Sequence, residues 1–380
     1  MLFDYNFRNY NLRLILYTTA LSIIGVMAIR SASSQDASVV IKQVIGVVLS
    51  VTICIVVSMI DYHWFNRFSW AIYGVCIMFL LLVLIRGRST NGATRWLTVG
   101  PITIQPSEFV KIGLILFMAW YLSKCRDILN RSATLARIAV LAGIPLVMVY
   151  IQPNLSTTIV IAVIIFSMLF AAGLSYRWIL GTLALGIPSV SALLYLALHG
   201  LIPFLKQYQA ERILARFFNS NNQYADLNRQ QNNSIMAIGS GQLTGKGLFN
   251  NTLSSVKNGN FLSEEKTDFI FAIIGEELGF IGCSIVILLY ALLVFECLWI
   301  GSHAEDAEGR IIATGMAALV AFQSFANIAV ATGIFPNTGL PLPFISSGLT
   351  SLMSMFIGVG IILNIGLQKH TEEHQEGRHT

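Results

Sequence analysis

Apolar residues run along this chain in long uninterrupted blocks, each closed by charged residues, proline or glycine. The blocks fall at about 11–31, 39–60, 67–85, 108–123, 135–151, 155–174, 178–202, 268–300, 310–334 and 348–367. Most approach the ~20 residues that a helix rising 1.5 Å per residue needs to cross a hydrocarbon core. Strands of a membrane barrel would instead alternate polar and apolar positions. The pattern predicts an all-α polytopic membrane protein with about ten transmembrane helices, forming a single membrane domain over 1–380. A long extracellular loop, about 203–266, is expected between helices 7 and 8. The run 268–300 exceeds one span, so its start is expected to tilt or to lie half immersed. Ser31-Ala32-Ser33 gives the first run the look of a leader peptide. Nine further spans follow it, and an uncleaved first helix is expected.

Composition narrows the class. Of 380 residues, 55% are apolar and 11% charged, where soluble domains carry roughly 25% charged residues. Too little polar surface remains to coat a water-soluble fold, which excludes secreted, disordered and nucleic-acid-binding classes. Lys and Arg in the short loops number eleven on the side of the termini and four on the other. The termini are therefore expected in the cytoplasm of a bacterial plasma-membrane protein. The five cysteines lie in spans or on the cytoplasmic side, so no extracellular disulfide framework is expected.

Basic residues on the outer side are then the anomaly. Arg86, Arg88 and Arg95 sit in one loop; Lys206, Arg212, Arg216, Arg229, Lys246, Lys257 and Lys266 sit in the long one. Membrane headgroups would account for them. So would an anionic lipid-linked ligand, since these cations pair with phosphate oxygens.

Ionisable residues inside spans are costly and are candidates for function. Glu108 and Lys111 stand three residues apart on one helix face. They are either an ion pair that locks helix packing or a phosphate-facing lysine with its supporting carboxylate. Asp268 opens the eighth span behind Thr267, as a helix cap or as a chemical group. Glu276 and Glu277 lie roughly 12–14 Å deeper at helical rise and are expected to be structural. Gly275 and Gly279 beside them have the spacing of a close-packing face. The segment Gly239-Ser240-Gly241-Gln242-Leu243-Thr244-Gly245-Lys246-Gly247 does not match the phosphate-loop spacing, and Gly follows its lysine. It could present amides to an anion or simply bend. No nucleotide-binding or zinc signature appears, which excludes an ATPase. Pro336, Pro341 and Pro343 with Gly333, Gly339 and Gly348 predict re-entrant or pocket-lining backbone between the last two spans. In the expected orientation the polar clusters 86–108, 152–157, 203–268 and 335–347 all emerge on the outer face.

Four motifs, in order along the chain, resemble those of the SEDS family (shape, elongation, division and sporulation). They are Arg95-Trp96-Leu97 with Gln105-Pro106-Ser107-Glu108-Phe109-Val110-Lys111; Ala237-Ile238-Gly239-Ser240-Gly241 with Gly245-Lys246-Gly247; Thr267-Asp268-Phe269 through Gly275-Glu276-Glu277-Leu278-Gly279; and Pro336-Asn337-Thr338-Gly339-Leu340-Pro341-Leu342-Pro343-Phe344. The chain departs from the family pattern at Asn154, where many relatives carry Asp, at Ser346-Ser347-Gly348-Leu349-Thr350, and at Ser263 and Lys266.

The resemblance implies a peptidoglycan glycosyltransferase that polymerises lipid II on the outer face, working with a class B penicillin-binding protein transpeptidase. Asp268 is the expected catalytic base. Arg95, Glu108, Lys111, Arg212, Arg216 and Lys246 are the expected substrate-binding residues. The metal site is unknown, with a divalent cation (Mg or Mn) as a further source of charge. Short tails favour an elongation-type member over a division or sporulation paralogue. A lipid-linked precursor flippase and a non-catalytic scaffold are the alternative classes.

Overall fold

The computed structural model describes residues 10–33, 36–90, 93–99, 102–198, 225–249 and 265–368. Among them the chain forms twelve α-helices: α1 (Leu12–Ala32), α2 (Ala37–Ser58), α3 (Tyr62–Asn66), α4 (Ser69–Arg86), α5 (Pro106–Lys124), α6 (Ser132–Ile151), α7 (Leu155–Ala171), α8 (Tyr176–Leu198), α9 (Ala225–Ser240), α10 (Ile270–Ser302), α11 (Ala307–Ala331) and α12 (Leu349–Gln368). Ten of these coincide with the ten apolar runs. The short α3 and the polar α9 were not expected. Seven are long and apolar enough to cross a membrane by length and composition, while α7 is apolar but 17 residues long.

Local sequence explains where many helices begin. Side-chain oxygens of Asn11, Asp36, Asp61, Asn154 and Asp306 each accept a first-turn backbone N–H, meeting donors that a helix start leaves over. Pro106 opens α5, where its missing N–H costs nothing.

The helices carry apolar residues on both faces. Ile41, Ile45 and Val48 of α2, Ile85 of α4, and Phe280, Leu288 and Phe295 of α10 are exposed. Such a surface is unfavourable in water and suited to hydrocarbon, which fixes a multi-pass membrane protein. The most apolar window of α12 is 72% buried and that of α2 only 22%, so α12 is interior and α2 peripheral. The chief contacts join α2 to α12, α10 to α11, α11 to α7, and α4 to α5. At Gly25 of α1, a Cβ would stand 2.6 Å from the carbonyl oxygen of Ile345. The missing side chain lets the loop before α12 enter the bundle.

The helical fold expected from the sequence carries one addition and one correction. The addition is a small antiparallel sheet between α4 and α5, formed by β1 (Arg88–Thr90), β2 (Ala93–Val99) and β3 (Ile102–Ile104). Thr, Val and Ile supply β-branched side chains there, over runs too short to span. The correction is that Gly279 does not belong to a continuous small-residue face. Its φ of 64° and ψ of −161° break α10, in a region open essentially to glycine alone. The long run is thus two helices end to end, which explains its excess length.

At the end of the bundle bearing the start of α1, polar side chains tie elements together. Asn11 donates to Glu296, and Tyr62 Oη donates to Asp306 at 2.6 Å. His63 bridges Asp61 (2.9 Å) and Asp306 (3.2 Å). The Asp306 hydrogen bond, helped by Asp61 and opposed by burial, lifts the His63 pKa from 6.5 to about 9. The candidate chemistry lies at the other end.

Candidate active site

The segment 332–348 between α11 and α12 folds back into the bundle, burying Leu340, Leu342, Phe344 and Ile345. This is the pocket-lining backbone that its prolines and glycines predict. Buried carbonyls need donors, and neighbouring side chains supply them. Tyr290 donates to the Pro343 carbonyl, Gln323 to Pro341 (3.0 Å), Asn327 to Leu340 (2.7 Å), and Ser156 to Thr338.

Asp268 precedes α10 in the turn 265–269 and is half-buried. The N-cap position of α10 belongs to Phe269, so Asp268 stands one residue ahead of it. Three consecutive carbonyls pin this segment. Lys266 accepts from the Ser347 amide (2.9 Å), Thr267 from Ser346 Oγ (2.6 Å), and Asp268 from Asn327 Nδ2 (2.9 Å). Gly339 has a φ of +68°, and a Cβ there would stand 3.3 Å from Asp268 Oδ2. A side chain at 339 would therefore press on the carboxylate.

The strand residue Arg95 donates to the Pro153 carbonyl. Next to it, Asn154 accepts the Thr157 amide and starts α7, so the position where many relatives carry a carboxylate serves here as a cap. Ser156 reaches Thr338, and Gly339 abuts Asp268. The structure therefore gathers described parts of all four polar clusters at one place: Arg95, 153–156, 266–268 and 338–347.

Glu108 and Lys111 are each 1% exposed. Lys111 Nζ lies 2.9 Å from Glu108 Oε1 and donates to Gln323 Oε1 at 2.8 Å. The pair sits beneath the surface, in the packing arrangement rather than facing a phosphate. Burying two charges is tolerated because each meets the other and Gln323 supplies a further acceptor.

Lys246 Nζ pairs with Glu276 Oε1 at 2.8 Å. The glycine-rich segment before it does not offer all its amides to an anion: those of Lys246 and Gly247 donate to the Glu276 and Glu277 carbonyls, both at 3.0 Å. In return, Phe280 and Ile281 donate to Gln242 (2.8 Å) and Leu243 (3.1 Å). The segment thus satisfies backbone groups that the Gly279 break exposes. Ser31 donates to Glu277. Both glutamates are thus held by partners within the protein. Arg212 and Arg216 lie outside the described residues.

Among the described residues, no three of His, Cys, Asp and Glu are grouped to hold a metal ion.

Sequence reasoning missed Gln323 and Asn327, although a signal was present. Two carboxamides spaced i, i+4 inside the run 310–334 are as costly in a membrane as the charges singled out above.

Residues 11–371 match the model of the FtsW/RodA/SpoVE family, described as cell cycle protein. A probable peptidoglycan glycosyltransferase FtsW of Trichlorobacter lovleyi is 35% identical over 367 residues, covering 94% of this chain and 93% of that protein. The peptidoglycan glycosyltransferase MrdB of Escherichia coli K12 is 33% identical over 353 residues, covering 93% and 92%. Among solved structures, a chain from work on structural coordination of polymerization and crosslinking by a peptidoglycan synthase complex superposes with a TM-score of 0.79 at 26% identity, covering 95% of this chain and 99% of its own. An aspartate-to-alanine mutant of the Thermus thermophilus rod shape determining protein RodA superposes with a TM-score of 0.69 at 25% identity, covering 97% and 99%.

Proposed function

The chain belongs to the FtsW/RodA/SpoVE family, and on that premise we propose that it is a peptidoglycan glycosyltransferase polymerising lipid II, with Asp268 as its base. The observation that carries this is the gathering of four polar segments around one carboxylate just ahead of α10. In the proposed orientation the termini are cytoplasmic and Asp268 opens to the outer face, where the eleven-to-four bias of short-loop Lys and Arg puts it.

Asp268 takes the proton from the acceptor sugar hydroxyl as its oxygen bonds to the donor's anomeric carbon. The bond from that carbon to the polyprenyl pyrophosphate breaks, and the pyrophosphate leaves with the electron pair. Glycoside hydrolysis uses two carboxylates partly because an alkoxide must be protonated to leave. A pyrophosphate leaves as a stabilised anion, so one carboxylate suffices. A positioned base contributes typically 10²–10⁴-fold.

The leaving group needs positive charge instead. Arg95 and Lys266 are described cations in the gathered segments, Lys246 is a further candidate, and Arg212 and Arg216, outside the described residues, are candidates from the sequence alone. A divalent ion, if one takes part, would come with the pyrophosphate. The neighbour from a complex that coordinates polymerization and crosslinking supports a crosslinking partner; the class B penicillin-binding type is what the family resemblance implies.

The test is polymer formation from purified lipid II by wild type and Asp268→Asn, with the transpeptidase present and folding verified. Glycan strands from wild type and a loss of at least about 100-fold in the variant are expected. Polymer from both would remove Asp268 as base. Polymer from neither would favour the flippase.

A further inference from the structure

One side chain holds both walls around the Asp268 carboxylate. Asn327, 1% exposed, uses both hydrogens of Nδ2: one on the Asp268 carbonyl (2.9 Å), the other on the Leu340 carbonyl (2.7 Å). Leu340 follows Gly339, the residue that abuts the carboxylate oxygen. Among the described residues, the Asn327 Oδ1 is buried without a hydrogen-bond partner. A buried acceptor without a donor is costly, a cost set against the two buried carbonyls that the same side chain satisfies. The network also fixes the amide's orientation, since a flip would set Oδ1 against two carbonyl oxygens.

One turn earlier on α11, the fully buried Gln323 repeats the device. Its Nε2 donates to the Pro341 carbonyl and its Oε1 accepts from Lys111, which pairs with Glu108. The i, i+4 spacing puts both carboxamides on one face of a packed helix. The carbonyls of 268, 340 and 341 therefore hang from a single rigid face. The interior backbone N–H groups of a helix are spent on the helix itself, and only a neutral side chain with two donors can serve two carbonyls there.

We propose that Asn327 is a positioning residue that sets the Asp268 carboxylate for proton abstraction. Gln323 joins the Glu108–Lys111 pair to the same scaffold, so that pair acts on the reaction through α11 and the 332–348 segment rather than by touching pyrophosphate. The inference rests on Asp268 being the base.

The experiment measures polymerisation of purified lipid II, with the transpeptidase present, as kcat, KM and pH profile for Asn327→Ala, Asp268→Asn and Tyr62→Phe. The last variant removes a partly buried hydrogen bond at the other end of α11 and serves as the structural control. Asn327→Ala is expected to lower kcat roughly 10–100-fold, the scale of a small misplacement of a reacting group. KM for lipid II stays within about twofold and the acid limb of the pH profile moves. Tyr62→Phe lowers Tm comparably and leaves kcat, KM and that limb in place. Should Asn327→Ala lose its fold, Asn327→Gln, which keeps the donors one methylene displaced, is judged by the same criteria. Unchanged kcat and pH profile in Asn327→Ala, beside an inactive Asp268→Asn, would overturn the positioning role and leave the base standing. A kcat loss accompanied by a matching rise in KM, with no movement of the limb, would reduce Asn327 to a structural role. Activity in Asp268→Asn would remove the base and this inference together.

Discussion

At the residue scale, Gly279 shows how one position can set a larger arrangement. Its backbone lies where an L side chain is strained, and a Cβ would stand 2.3 Å from the Gly245 amide nitrogen and 2.8 Å from the Leu243 carbonyl. Gly279→Ala is expected to cost about 1–3 kcal/mol in backbone strain, with steric overlap adding to it. Thermal unfolding in detergent should show Tm several degrees lower. A Tm equal to wild type would mean that α10 can run straight through this point. Asp268 was legible as a single residue, because an acidic group at the edge of an apolar run stands out. Its place one residue ahead of the N-cap position was not, since only the start at Ile270 gives that position to Phe269.

At the element scale, α7 and α10 bring their starts to the site, and α11 holds its backbone through two carboxamides. The Glu108–Lys111 pair is the cross-tie between α5 and α11. Lys111→Met leaves Glu108 charged and unmatched in the interior, an expected loss of about 3–5 kcal/mol. Adding Glu108→Gln should recover much of that stability, because no buried charge then remains. A double variant no more stable than the single one would show that the pair matters through something other than charge balance. Sequence spacing revealed the pair and left open whether it faces ligand or protein. That choice depends on which surface α11 turns toward α5, a tertiary property.

At the scale of the whole molecule, the five cysteines report orientation without any substitution. Cys54, Cys76, Cys283 and Cys297 are buried, while Cys125, between α5 and α6, is partly exposed. With cytoplasmic termini, Cys125 faces the cytoplasm. A membrane-impermeant maleimide is expected to label inverted membrane vesicles and to leave intact spheroplasts unlabelled. Labelling of spheroplasts alone would invert the orientation and put Asp268 inside, away from the polymer.

The sequence by itself determined the membrane class, the number and place of the long helices, the breaks at proline and glycine, and the four motifs that mark the family. These follow from composition and local periodicity, because crossing hydrocarbon demands about 20 apolar residues in a row wherever they pack. Only the tertiary structure decided that Lys111 lies sealed against Gln323, that Lys246 is tied to Glu276, and that Asn327 joins Asp268 to Leu340. Those partners stand 212, 30, 59 and 13 residues apart in the chain. No local pattern encodes such pairings. They are set when helices pack and each buried donor must find an acceptor among the groups that packing brings within reach.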